Sequence, residues 1–228
     1  MNKRLQKHQD YDFNVFINCP FDEEYKPLFY AIIYSIHACG FIARCAQEAS
    51  TQTIRLTKIL DIVGECRYGI HDLSRIDLTK LPRHNMPFEL GIFVGCRHFG
   101  GKFHNNKEYL VLDSEPHRYK QHTSDLSGED ISIHGNKPQE VIRCVRDWLV
   151  YKAPINERHL IQSATILFER FTFFDQQLDE LCQKRRLVKK DLLFLEYVEI
   201  VTDWIVDERK KMEDFDKIAK GRIDLRII

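Results

Sequence analysis

The residues best suited to do chemistry lie between Arg83 and Gly95, RHNMPFELGIFVG. A polar entry passes through Pro87 into an apolar run that carries one acid, Glu89. Asn85 suits the N-cap of a helix, and Pro87 suits its first turn, where the missing amide hydrogen is not needed. Phe88, Ile92 and Cys96 recur at helical spacing. Glu89 then falls within about one turn of the helix N-terminus, where the macrodipole favours an ionised carboxylate. Gly91 costs about 1 kcal/mol relative to alanine in a helix interior, so a packing or ligand reason is expected for it. An acid in this setting either complements the dipole or acts on a substrate.

The elements that must position Glu89 read as strands alternating with helices. Phe13 to Cys19 is a buried strand, and a helix follows from about Glu23 to Cys39, with Asp22 as its cap and Gly40 as its stop. That helix is apolar nearly all round (Leu28, Phe29, Ile32, Ile33, Ile36), as packing on a sheet requires. Phe41 to Ala46 is a second strand. Ser50 or Thr51 caps a second helix, whose Leu56, Ile59, Leu60 and Val63 share one face. Cys66 to Leu73 is a third strand, and the Glu89 helix comes next, stopped by Gly100-Gly101. Tyr109 to Leu112 and Asp130 to Ile133 are further strands, and Pro138 to Val150 is a helix. The pattern predicts an α/β fold, a doubly wound and mostly parallel five-stranded sheet.

Ligands of such sheets bind outside the carboxyl ends of the strands. That rule selects Asn18, Phe21, Arg55, His71, Asp72 and Glu89 as residues that could converge on one crevice. Arg55 could hold a pyrophosphate near a helix start, or be a solvated cation. Phe21 could stack on a ring, or belong to the core. His71 beside Asp72 could orient a ribose hydroxyl, or both could serve loop amides. Arg83 and Asn85 could contact substrate, or only form the helix entry. Tyr25 and Tyr68 are weaker candidates. The glycines at 95, 100 and 101 before Lys102 do not make a P-loop, because the lysine falls one place late and the glycines follow a helix. His98 and His104 lack a partner at metal-ligand spacing, so no metal site and no cofactor are expected.

From Glu157 the pattern changes. Leu160, Ala164, Leu167, Phe171, Phe174, Leu178 and Leu181 form a heptad seam, and Phe194, Val198, Val201 and Ile205 repeat it after a basic turn. This predicts a C-terminal α-helical hairpin over 157–206, in a second region spanning 153–228 after an α/β domain at 1–152. The hairpin either docks a partner or second copy, or folds back on its own domain.

Composition narrows the function classes. Lys plus Arg and Asp plus Glu number 34 each in 228 residues, so no net field recruits nucleic acid or anionic membrane. Seven scattered cysteines, never spaced C-x-x-C, fit reduced thiols in a cytoplasmic protein. No signal-peptide core and no membrane-length apolar stretch is present.

The segment from Arg83 to Gly95 resembles the R-x-N-x-x-F-E-L-G segment of bacterial TIR-like domains, the NAD-consuming effectors of anti-phage defence. It is similar, more loosely, to the F-E-x-G segment of nucleoside 2-deoxyribosyltransferases, as Asn18 and Phe21 in NCPFD are to that family's first loop. The deoxyribosyltransferase pattern D-x-G-T-x-x-E is not met, since Arg83, Asn85 and Met86 stand at its key positions. The resemblance implies a flavodoxin/TIR-like sheet, Glu89 as the catalytic acid, and NAD as substrate with no further cofactor. It also implies homo-oligomers that complete the site, and an activating partner or signal nucleotide. The resulting expectation is an NAD+ glycohydrolase acting as a toxic defence effector. The alternatives are a deoxyribosyltransferase-like hydrolase of nucleosides or nucleotides, and a non-enzymatic nucleotide-binding signalling module.

Overall fold

The first strand, NVFIN, is buried at every position, as a strand covered on both faces must be. The computed structural model describes residues 7–48, 54–75, 85–118 and 130–224, with backbone alone from 213. Five strands form one sheet: β1 (Asn14–Asn18), β2 (Ile42–Cys45), β3 (Tyr68–Asp72), β4 (Glu108–Asp113) and β5 (Ile131–Ile133). Their order is β2-β1-β3-β4-β5, and every pairing is parallel. The chain steps one way from β1 to β2 and the other way from β2 to β3 and β4. Right-handed crossovers therefore send the connecting helices to opposite faces. α1 (Lys26–Ala38) packs with α4 (Pro138–Leu149) on one face, and α2 (Arg55–Glu65) packs with α3 (Asn85–Phe99) on the other. The expected doubly wound α/β architecture is observed.

Local signals account for most of the boundaries. The Asp22 carboxylate accepts the Tyr25 amide at 2.9 Å in the turn before α1, and Pro27 lies in the first turn of α1. α1 starts three residues later than expected because residues 23–25 belong to that turn. Its apolar surface is buried nearly all round, from Leu28 to Ile36. Sheet, α4 and the ring of Phe171, centred 5.3 Å from Tyr34, all cover it.

The faces of two helices differ from their sequence patterns. On α2, Ile59, Ile62 and Val63 are buried, whereas Leu56 and Leu60 are 43% and 49% exposed. The caps expected at Ser50 or Thr51 lie outside the described residues. On α3 the buried set is Met86, Glu89, Leu90 and Phe93, and Phe88 is 58% exposed. α3 is apolar over most of its circumference, so docking chose the face. Phe93 joins Phe16, Ile59, Ile62, Val63 and Cys66 in one core cluster, while Met86 and Leu90 meet Leu73 and Val111 in a second. Full burial of a phenylalanine such as Phe93 contributes about 1.5–3 kcal/mol.

The chain divides into two compact units, Met1–Thr172 and Phe173–Ile228. This boundary lies later than the expected start of the second region at residue 153. Residues 153–172 join the α/β unit through Phe171 on Tyr34 and through Arg146 Nε, which donates to the Gln162 carbonyl at 2.8 Å. In the second unit α6 (Phe194–Asp224) folds back on the later part of α5 (Ala164–Lys184). The Phe174 ring meets Tyr197 and Trp204 edge-on, and Trp204 Nε1 donates to Gln177 Oε1 at 2.8 Å. The buried seam of α5 runs Leu167, Phe171, Phe174, Leu178 and Cys182. Cys182 replaces the expected Leu181 because a straight helix drifts from a strict seven-residue repeat.

Candidate active site

β1 and β3 are neighbours, and the connections leaving them run to opposite faces, so the topological switch point lies between their carboxyl ends. Asn18 closes β1 there and is fully buried. Its Nδ2 donates to the Met86 carbonyl at 2.8 Å and lies 3.0 Å from His71 Nδ1. One side chain thus ties the end of β1 to the first turn of α3 and to the end of β3.

Glu89 lies in the second turn of α3, 3% exposed. Burial raises its pKa, opposed by a hydrogen bond with the Asn85 side chain and by the charge of Arg55. Desolvation thus works against the ionised form that the helix start was expected to favour, and outweighs the help of these two neighbours. Asn85, expected as the N-cap, is instead the first residue of α3, and its side chain serves Glu89. Arg55, exposed at the start of α2, contributes through its field. Gly91 is exposed, with nothing within 4 Å of where a Cβ would stand, so no close packing accounts for it.

His71 and Asp72 do not act as a pair. Successive strand residues point to opposite faces, and these two follow the rule. His71 turns toward α3, its ring 5.2 Å from that of Phe93 and 5.9 Å from that of Phe16. Burial and the charge of Lys107 lower its pKa to about 3, so the ring is neutral. Asp72 turns the other way and is fully engaged. It accepts the Tyr25 hydroxyl at 2.5 Å and the Ser74 amide at 2.7 Å, and His134 Nε2 stands 3.0 Å away. Burial alone would raise the Asp72 pKa, but His134, Ser74 and Tyr25 together hold it below its usual value. The Asn136 amide donates to His134 Nδ1 at 3.0 Å, which leaves the Nε2 hydrogen to face Asp72. Asp72 is therefore a clamp joining the end of β3 to the start of α1 and the end of β5, with both oxygens engaged. Of the two readings of this pair, Asp72 follows the loop-amide one, through Ser74.

Phe21 is half-buried and packs edge-on against Phe29 at 5.2 Å. Its ring belongs to the start of α1, the core alternative of the two. Arg83 lies outside the described residues. The structure links Asn18 to His71 and to the Met86 carbonyl of α3, and Asn85 to Glu89, with Arg55 near enough to Glu89 to act by charge, while Asp72 faces the other side of the sheet.

Three further residues at this edge have no strong sequence signal. Asp113 ends β4 and is fully buried. It receives Arg118 Nη2 at 2.5 Å and the Ser114 amide at 2.7 Å, both on Oδ1. Burial raises its pKa against the pull of Arg118. His134 and Ser74 are also buried at strand ends. Position just after a strand was the only available clue to them.

Among the described residues no group of His, Cys, Asp and Glu could hold a metal ion. No described helix is long and apolar enough to cross a membrane. A cavity of about 670 Å³ lies elsewhere, lined by Tyr109, Ser132, Arg143, Asp147 and Trp148 among others, and includes none of the residues above. Compared with known proteins, the chain matches no family model, no curated protein and no solved structure.

Proposed function

We propose that the chain cleaves an N-glycosidic bond of a nucleotide, NAD+ being the favoured substrate, with Glu89 as the catalytic carboxylate. The observation that carries this reading is a buried acid on α3, next to the switch point of a parallel sheet, with its helix start tied to β1 by Asn18. The likeness of Arg83 to Gly95 to the TIR-like segment supports it. Cleavage of the nicotinamide–ribose bond passes through an oxocarbenium-like state, which a carboxylate near the anomeric carbon stabilises. Nicotinamide leaves from a cationic ring, so no second acid is required to protonate it. Asn85 and Arg55 favour the ionised form that this role needs.

The test is nicotinamide release from NAD+, followed by chromatography at protein concentrations high enough for assembly, with Glu89→Gln alongside. Turnover by the wild type that drops about a thousandfold or more in the variant supports the reading. Tight NAD+ binding without turnover would favour a signalling module instead. The second reading, hydrolysis of free nucleosides or nucleotides, gains from the raised Glu89 pKa, because a neutral base needs an acid to leave. It predicts base release from a nucleoside panel with an acid optimum. For NAD+ the ionised form is active, so activity falls as pH drops through the Glu89 pKa.

Assembly through the second unit belongs to the same proposal. Leu193, Leu195 and Val206 stay exposed there, which fits a further packing partner. Sedimentation velocity across a concentration series tests it. The effector role predicts toxicity on expression that Glu89→Gln relieves.

A further inference from the structure

The outer sides of α2 and α3 carry large apolar residues beside open glycines. On α3, Phe88 is 58% exposed and Phe99, three turns on, is 90% exposed. Gly91 and Gly95 lie between them, and a Cβ at either would meet nothing within 4 Å. α2 repeats the pattern. Its Leu56 and Leu60 are 43% and 49% exposed, and Gly64, one turn further on, is as open as the glycines of α3. Glycine costs a helix stability relative to alanine, and none of the three is needed for packing within the chain.

These residues share one face. Phe93, Ile92 and Cys96 pack with Ile59, Ile62 and Val63 in one cluster, which sets the middle of α3 beside the middle of α2 and turns the Ile92 side of α3 toward α2. Both helices lead from the carboxyl end of the sheet back to its amino end, so they run parallel. At about 100° per residue, the α2 flank nearest α3 then carries Leu56, Leu60 and Gly64, and the facing flank of α3 carries Phe88, Ile92, Gly95 and Phe99. The result is an open groove with apolar walls. Leu56, Leu60, Phe88 and Phe99 expose roughly 400 Å² between them, a size that marks interaction sites and not scattered surface residues.

We propose that the α2–α3 face binds a second copy of the chain, antiparallel across a two-fold axis that passes through Leu60. The face is complementary to itself under that operation, as an isologous dimer requires. Reversing α2 about Leu60 sets Leu56 over Gly64 of the partner subunit. Reversing α3 between Phe93 and Val94, the level of Leu60, sets Ile92 over Gly95 of the partner subunit and Phe88 against Phe99 of the partner subunit. Knobs thus meet gaps at the centre and rings meet at both ends. The charges obey the same symmetry. α2 carries Arg55 and Lys58 in its first half and Asp61 and Glu65 in its second, so reversal places unlike charges opposite one another. With this rim and the glycine backbone added to the apolar walls, the face approaches the roughly 800 Å² per partner that a stable dimer buries. The inference is independent of the role of Glu89, and the face is separate from the second unit.

Sedimentation velocity of the full chain across a concentration series reads the assembly. The wild type is expected to pass from monomer to dimer. Leu60→Glu sets two like charges on the axis and weakens the dimer tenfold or more, with a thermal melt to check that it folds. Gly95→Leu weakens the dimer to a similar extent while raising the melting temperature of the monomer, because leucine favours the helix and the position is open. Leu60→Cys forms a disulfide between the two copies under mild oxidation, where the wild type forms none, since the axis brings that position onto itself. Val206→Glu, on the second unit, leaves this dimer intact. A wild type that stays monomeric throughout the series overturns the inference, and so does a dimer that survives both Leu60→Glu and Gly95→Leu. Dissociation by Val206→Glu in place of Leu60→Glu also overturns it and moves self-association to the second unit.

Discussion

The two ends of the parallel sheet handle their buried polar groups in opposite ways. At the amino end Lys107, fully buried, donates to the carbonyls of Val63, at 2.6 Å, and Cys66. Tyr11 reaches His104 Nδ1 at 3.2 Å, and the Asn14 amide donates to the Glu65 carbonyl at 3.0 Å. Burial lowers the Lys107 pKa to about 8, yet its hydrogen bonds are made, and Phe93 and Tyr11 pack their rings around it. At the carboxyl end Asn18 Oδ1 and Asp113 Oδ2 are buried without a hydrogen-bond partner among the described residues, and burial raises the pKa of both Glu89 and Asp113. One end is largely paired, although Arg67 Nε there has no partner among the described residues. The other holds polar groups that the fold leaves unsatisfied, the usual mark of a place where stability was exchanged for a task.

The contrast is broken most directly at Lys107. Lys107→Met keeps the apolar stem but takes a charged donor away from the Val63 and Cys66 carbonyls, of which Val63 still accepts the Cys66 amide at 3.3 Å, and we expect a loss of about 2–4 kcal/mol in urea denaturation. A neutral result would mean the amino end is no better satisfied than the other. Next in size is Tyr25→Phe, which removes a hydrogen bond to the ionised Asp72. A loss of about 1.5–3 kcal/mol in thermal unfolding, with unaltered nucleotide affinity, fits a clamp. A large change in affinity at full stability would return Asp72 to the binding site.

His71 sharpens the comparison through pH. Its pKa of about 3 in the fold lies below the ordinary 6.5, so the folded state rejects a proton that the unfolded chain accepts. Its contribution is present above pH 6.5 and is lost as pH falls from there toward 3. His71→Gln should therefore show a shallower loss of stability over that range, by up to about 1.4 kcal/mol per pH unit. Equal slopes in wild type and variant would show that His71 is accessible to protons in the fold.

The smallest stability effect is expected at Glu89. Its raised pKa means the fold binds the proton more tightly than the unfolded chain does, so its ionised form opposes folding at neutral pH. Glu89→Gln should change neutral-pH stability by less than about 1 kcal/mol, in the stabilising direction, while removing activity. A marked destabilisation would make Glu89 a structural residue and undo the contrast between the ends.

The strand–helix alternation was legible because buried strands and sheet-packing helices carry dense, periodic apolar runs, and each of the five expected strands is present. Glu89 stood out because it is a lone acid within such a run. What could not be read was direction. α3 is apolar on most sides, so nothing local told Met86 and Phe93 from Phe88, and packing against β1 and β4 decided it. His71 and Asp72 are neighbours in sequence and parted in space by the pleat of one strand. Asp113, Ser74 and His134 carry no local pattern, since their significance comes from which strand ends lie side by side.

By itself, then, the sequence determined the elements, their order and the acid at the start of α3, because periodicity and turn chemistry act within a few residues. Only the tertiary structure decided which polar groups are paired. Pairing depends on partners brought from distant segments, such as Met86 to Asn18, Tyr25 to Asp72 and Val63 to Lys107. It also set the direction in which the Glu89 pKa moves, because that follows from what surrounds a carboxyl in three dimensions and not only from its place along a helix.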